Sequence, residues 1–158
     1  MRYLLIVYLI FYSASALSSS VSRAESALQK YINGAPNDEP KLRQELVETT
    51  HALMRESLDR TSRAITQGRS WDSKKVLIEM AEVVYRTRSQ AFGGRDPHAV
   101  MALYDLGRVY NRMGLVSHSK RALETAFSAS ARVLATGDPI RADIAHLLAK
   151  LDFSNGMA

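Results

Sequence analysis

The sequence predicts an all-α fold built from antiparallel helix pairs. Three observations carry this. Apolar residues recur at i, i+3, i+4 spacing through most of the chain, the period of a helix with one buried face. No segment alternates apolar and polar residues with period two between hairpin turns. A connector also recurs. Asp96-Pro97 returns 42 residues later as Asp138-Pro139, Leu106 as Leu148 and Gly114 as Gly156. A second helical pattern lies between the two copies, so the repeating unit is a helix pair.

The N-terminus comes first. Met1-Arg2 is a minimal positive region, and Tyr3 to Tyr12 is an uncharged apolar run of ten residues. Ala14-Ser15-Ala16 then supplies the small-x-small pattern of a cleavage site, so 1–16 has the layout of a secretory signal peptide. The run is short for a membrane span, which needs about 20 residues. Cleavage is expected after Ala16, with a site as late as Ala24 also compatible and an uncleaved anchor the alternative. The mature chain is then exported, to a periplasm, the cell exterior or an endomembrane lumen. Residues 17–40 hold a flexible serine leader (Ser18 to Ser22), a short helix from Arg23 to Ile32, a stop at Asn33-Gly34 and the linker Ala35 to Pro40.

A helical-repeat domain follows over 41–156. Lys41 to Gln67 is a long helix, opened by Pro40 in its first turn, with Leu42, Leu46, Leu53, Met54, Leu58 and Ile65 as its stripe. Thr49 and Thr50 thin that stripe, and Gly68 ends the helix. Arg69 to Asp72, carrying Trp71, is a loop. Ser73 to Phe92 is the most apolar helix, closed by Gly93-Gly94. Asp96 caps the next helix and Pro97 is its first residue. It runs to Met113 with Val100, Leu103, Leu106, Gly107, Tyr110 and Met113 on one stripe. Gly107 stands mid-helix, a cost of about 1 kcal/mol against alanine, which points to close approach of a neighbour. Gly114 turns the chain. Ser117 or Ser119 caps a helix to about Ala135, striped by Ala122, Leu123, Ala126, Phe127, Ser130, Val133 and Leu134. A last helix, Ile140 to Phe153, carries Ile144, Ala145, Leu148, Ala149 and Leu151, and Ser154-Asn155-Gly156 ends it.

Composition narrows the function. Hydrophobic residues make up 46% and charged residues 23% of the 158-residue chain, ordinary for a globular domain with a core. The net charge is +5, but basic and acidic residues interleave without a like-charge block, which argues against a nucleic-acid tail. The absence of cysteine excludes disulfides, thiolate metal sites and a cysteine nucleophile. The four histidines, His51, His98, His118 and His146, show no ligand spacing, although Asp143 and His146 can share a helix face. Gly93-Gly94-Arg95 lacks the ending of a phosphate loop, and no serine sits in a nucleophile elbow. No catalytic constellation, metal site or cofactor is expected.

Leu103-x-x-Leu106-Gly107-x-x-Tyr110 resembles the first-helix signature of tetratricopeptide repeats, with leucine in place of the usual tryptophan. Gly114 stands at that family's turn, Ala126 at the small position of its second helix, and Ser119 and Leu123 at the other two packing positions. The 42-residue period and the Gly-x-Asp-Pro connector look like the longer, kinesin-light-chain type of this repeat. The clearest unit spans 98–135. The resemblance weakens over 140–156, where Ala149 replaces the glycine and Asp152 the tyrosine, and is faint before Phe92.

This resemblance implies a short right-handed α-solenoid whose first helices line a groove that binds protein or peptide. The groove positions beside the packing stripe are Met101, Tyr104, Arg108, Asn111 and Arg112. Asp143, His146, Lys150 and Phe153 match them on the last helix. Arginines beside an amide and a phenol suit an acidic extended peptide, because guanidinium binds carboxylate bidentately. The specific Lys and Asn pattern by which some members hold a C-terminal carboxylate is not matched. The expectation is a non-catalytic scaffold or adaptor, with protein or acidic peptide as partner and no membrane contact after signal removal. The alternative is a structural component that forms a homodimer through its last helix, since a terminal helix in a stacked array leaves one face open.

Overall fold

The computed structural model describes residues 18–67 and 70–156. Within them lie six α-helices and no strand. The helices are α1 (Ser18–Asn33), α2 (Glu39–Thr66), α3 (Ser70–Phe92), α4 (Pro97–Arg112), α5 (Val116–Val133) and α6 (Pro139–Gly156). The signal-peptide segment 1–16 and the Gly68 stop lie outside the described residues. None of the described helices is long and apolar enough to cross a membrane.

Each helix packs chiefly on its neighbours in sequence, and α1 also reaches α3. Connections this short reverse the chain and leave successive helices side by side. The apolar core falls into two clusters that meet at α3. One joins Leu77 and Ala81 to Leu103, Leu106 and Val109 of α4, to Leu123 and Ala126 of α5, and to Ile144 and Leu151 of α6. The other joins Met80 and Val84 to Val21 and Ala24 of α1, Leu53 of α2 and Ala102 of α4. Thus one buried face of α3, set by Leu77, Met80, Ala81 and Val84, serves both clusters.

Several boundaries differ from the sequence reading. The serines expected as a flexible leader are the first turn of α1, where Ser20 and Val21 are buried. The Ser20 hydroxyl meets the Glu56 carboxylate of α2, and burial of Val21 anchors the turn. The linker before α2 is a short 3₁₀ turn, Pro36–Asp38. The backbone from Ser70 to Asp72 is already helical, so Trp71 belongs to α3 and not to a loop. Neither Ser117 nor Ser119 caps α5: Leu115 holds the cap position without a side-chain bond. At the far end α6 continues through Ser154 and Asn155 to Gly156.

The stripe of α2 is also more polar than expected. Its buried seam runs Leu46, Thr50, Leu53, Ser57 and Thr61. Thr50 donates to the Leu46 carbonyl at 2.8 Å, and Ser57 donates to the Leu53 carbonyl at 2.8 Å. A hydroxyl satisfied by its own helix can be buried at little cost, and its small size lets neighbouring helices approach. So Thr50 is part of the buried seam.

The repeated connector is repeated in three dimensions. The Asp96 carboxylate accepts from the His98 amide at 2.9 Å, and the Asp138 carboxylate accepts from the Ile140 amide at 2.8 Å. The backbone N–H of Asp96 donates to the Gly93 carbonyl at 3.1 Å, and that of Asp138 to the Ala135 carbonyl at 3.0 Å. In both, an aspartate N-cap precedes a proline whose missing N–H would have been unpaired anyway.

Between α4 and α5 the chain turns at Gly114, which takes a positive φ of 77°. Gly114 donates to the Asn111 carbonyl at 3.0 Å and Leu115 to the Tyr110 carbonyl at 2.9 Å, the paired bonds of a Schellman C-cap. Gly107 then lets the two helices meet. A Cβ there would lie 2.8 Å from two carbon atoms of Leu123, and the Ser119 hydroxyl donates to the Gly107 carbonyl at 2.8 Å. Ser119, Leu123 and Ala126 are buried one turn apart along α5. By contrast Phe127, expected on that stripe, is 40% exposed.

Helix α6 packs on α5 through Ile144 and Leu151, with Leu148 half-buried. Ala145 and Ala149, expected on its stripe, are exposed because no further helix of the described residues covers them. The 42-residue register survives: Ala102 and Val109 are buried in α4 just as Ile144 and Leu151 are in α6.

Candidate functional site

Two surfaces carry chemistry. The first is the side of α4 opposite its core stripe. The residues expected to line a groove share this side: Met101, Tyr104 and Asn111 are half-buried, and Arg108 and Arg112 are exposed. They fall there because α3 and α5 take the rest of the helix surface. The Arg108 guanidinium lies 5.5 Å over the Tyr104 ring and 3.5 Å from the Asp105 carboxylate. Arg112 forms no ion pair among the described residues. Burial raises the Tyr104 phenol; Arg108 opposes the shift, and Asp143 of α6 adds to it. So the charge of Asp143 on α6 bears on α4. His146 and Lys150 are exposed on α6.

The second surface is a cleft of about 250 Å³ that the sequence reading did not foresee. Helix α2 supplies one wall with His51, Met54, Arg55 and Leu58. Helix α4 supplies the other with Ala102 and Asp105, and Ala81, Val84 and Arg88 of α3 form the floor. None of the nine expected groove positions lines it.

Arg88 defines this cleft. It is only 2% exposed, the largest of the fully buried side chains. Its Nε donates to the Thr50 hydroxyl at 2.9 Å, and Nη2 donates to the Val47 carbonyl at 3.2 Å. Nη1 donates more weakly to the His98 carbonyl at 3.4 Å. One guanidinium thereby ties α2, α3 and α4 together. All three acceptors are neutral, and among the described residues no carboxylate lies within ion-pair distance. Burial pushes its pKa down to about 10, with Asp105 and Asp96 opposing the shift, so it remains charged at neutral pH.

The surroundings respond to that buried charge. Desolvation first, then Arg88, pulls His51 below the ordinary imidazole value. The same two causes lower His98, against the opposing charge of Asp96. Burial raises the Asp105 carboxyl, while Arg108, Arg88 and His51 resist the shift. Arg55 forms no ion pair or hydrogen bond among the described residues.

No protein-family model, curated protein or solved structure matches this chain. Among the described residues no three carboxylates or imidazoles stand close enough to hold a metal ion.

A signal for Arg88 was present in the sequence. Leu77, Met80, Ala81 and Val84 set the inward stripe of α3, and position 88 continues it at helical spacing. A charged residue on an apolar stripe is informative, because a buried charge is held only where other groups satisfy it.

Proposed function

We propose that the chain is a non-catalytic scaffold of tetratricopeptide-like form, a short right-handed solenoid that binds an acidic segment of another protein along the open side of α4. The observation that carries this reading is the set of exposed or half-exposed side chains there: Tyr104 and Arg108 stacked together, with Asn111 and an unpaired Arg112 one turn on. A planar guanidinium held against an aromatic ring keeps fewer rotamers to lose when it meets a carboxylate. The two equivalent Asp-Pro connectors and the neighbour-to-neighbour packing support the repeat reading. His146 and Lys150 extend the same side onto α6, in line with the 42-residue register.

The proposed site of action is an exported compartment reached by the 1–16 signal. Cleavage after Ala16 leaves α1 whole. Cleavage after Ala24 would remove Val21 and Ala24 from the core, so the earlier site is favoured. The test is a pull-down from the exported fraction, comparing wild type with the Arg108→Glu/Arg112→Glu double variant. A partner held by wild type and lost by the variant supports the reading. Equal capture by both proteins would end it.

A second reading, self-association through α6, has one observation in its favour. Ala142, Ala145 and Ala149 stand 42 residues after Val100, Leu103 and Gly107, which are buried in α4. On α6 these three are exposed, beside Phe153 at 68% exposure. A dimer formed there is broken by Ala145→Glu. Leu148 is a poorer choice, because it packs on the core and its change would weaken the fold. Light scattering of wild type and Ala145→Glu distinguishes a dimer from a monomer.

A further inference from the structure

The cleft between α2 and α4 has a charge that its own residues leave unmatched. Asp105 already has Arg108 at 3.5 Å. Among the described residues, Arg88 and Arg55 have no carboxylate within ion-pair distance. Of the charged side chains that line it, Arg55 and Arg88 are cationic and Asp105 is anionic, so the lining has one positive charge in excess. Arg88 spends three N–H groups on neutral oxygens, and a guanidinium has five. One N–H on each Nη remains for a further acceptor.

Both polar and apolar side chains line the cleft. Arg88 bonds to positions 47, 50 and 98, which sets it at one end beside His51. Met54, Leu58 and Ala81 lie toward the other end. From His51 to Leu58 the α2 wall is only about 10 Å long at the helical rise. That length admits one small group, not an extended peptide. A cavity of about 150 Å³ accommodates benzene, and this one measures about 250 Å³.

We infer that this cleft binds a small aliphatic monocarboxylate, its carboxylate toward Arg88 and Arg55 and its tail against Met54, Leu58 and Ala81. The carboxylate supplies the charge that Arg88 lacks, in a site where a charge-assisted bond is strong. The tail covers apolar surface that now faces water. This site stands apart from the α4 surface proposed for protein binding, and either can fail without the other.

The experiment uses the full chain and hexanoate as probe, with hexan-1-ol and hexylamine as controls of similar tail. The His51 ring resonances and the thermal midpoint are followed during titration. Hexanoate is expected to shift both in a saturable way, while the alcohol and the amine do so at least about tenfold more weakly, the factor expected for losing one charge-assisted hydrogen bond. Two variants on exposed positions keep the fold intact. Arg55→Gln is expected to weaken hexanoate by about tenfold. Leu58→Glu, which sets a carboxylate beside the tail, is expected to weaken it at least as much. Equal responses to hexanoate and hexan-1-ol would overturn the inference. So would no response to hexanoate, or undiminished binding in both variants.

Discussion

Gly107→Ala tests the contact between α4 and α5. A Cβ at this position would lie 2.8 Å from both Cδ2 and Cγ of Leu123, and 3.7 Å from the Ala122 Cβ. Leu123 is completely buried, so it has little room to swing aside. Alanine gains about 1 kcal/mol over glycine in a helix interior. Overpacking a full core costs about 1–3 kcal/mol. Taking about 2 kcal/mol for a clash with two buried carbons, the net effect is a loss of about 1 kcal/mol. In a Leu123→Ala background the two short contacts vanish and only the ordinary 3.7 Å contact remains. There the same substitution is expected to gain about 1 kcal/mol. The sign reverses, and the coupling between the two positions is about 2 kcal/mol. Leu123→Ala by itself is expected to cost about 2–5 kcal/mol. Urea unfolding of the four proteins, followed by far-ultraviolet circular dichroism, gives the midpoints at constant m. If Gly107→Ala stabilises both backgrounds alike, Leu123 does not press on α4 and the close-approach argument is wrong.

Other substitutions probe the remaining features. Asp138→Ala is expected to cost about 1 kcal/mol as a lost N-cap, and Asp96→Ala more, because Asp96 also meets the Arg43 guanidinium; comparative urea midpoints decide. Stability is expected to fall as pH drops through the ordinary imidazole range near 6.5. There the unfolded chain protonates before the folded one, in which burial holds His51 and His98 below that value. His98→Asn should flatten this dependence in denaturation measured between about pH 7 and pH 5.5. Tyr110→Phe removes the 2.7 Å bond from the Tyr110 hydroxyl to Glu82, and is expected to cost about 1–1.5 kcal/mol in the same unfolding assay.

The parts of this fold that were legible in the sequence are those set by local chemistry. Asp-Pro starts a helix because the carboxylate satisfies a free amide and proline has none to satisfy. Gly114 ends one because its φ is positive. Gly107 announced a close neighbour because nothing else justifies glycine at that point of a helix. The serines at 18–22 are helical for a reason that is not local. Alone they favour a flexible segment, but Val21 finds α2 and α3 to bury against, and the segment becomes helical. Ala145 and Ala149 have the right spacing for a buried stripe. They are exposed because burial depends on a neighbour that their own helix does not specify.

The sequence by itself determined the helical class, the order of the five helices after the first connection, and the 42-residue recurrence. Each of these follows from residues within a few turns of one another. Tertiary structure alone decided where the charges lie. It turned Arg88 inward onto Val47, Thr50 and His98, and it paired Asp105 with Arg108. Position 88 is 41 residues from Val47 and 10 from His98. Helical periodicity shows which side of α3 the residue occupies. It does not show which carbonyls wait on that side, and those come from helices that meet only after the chain has folded.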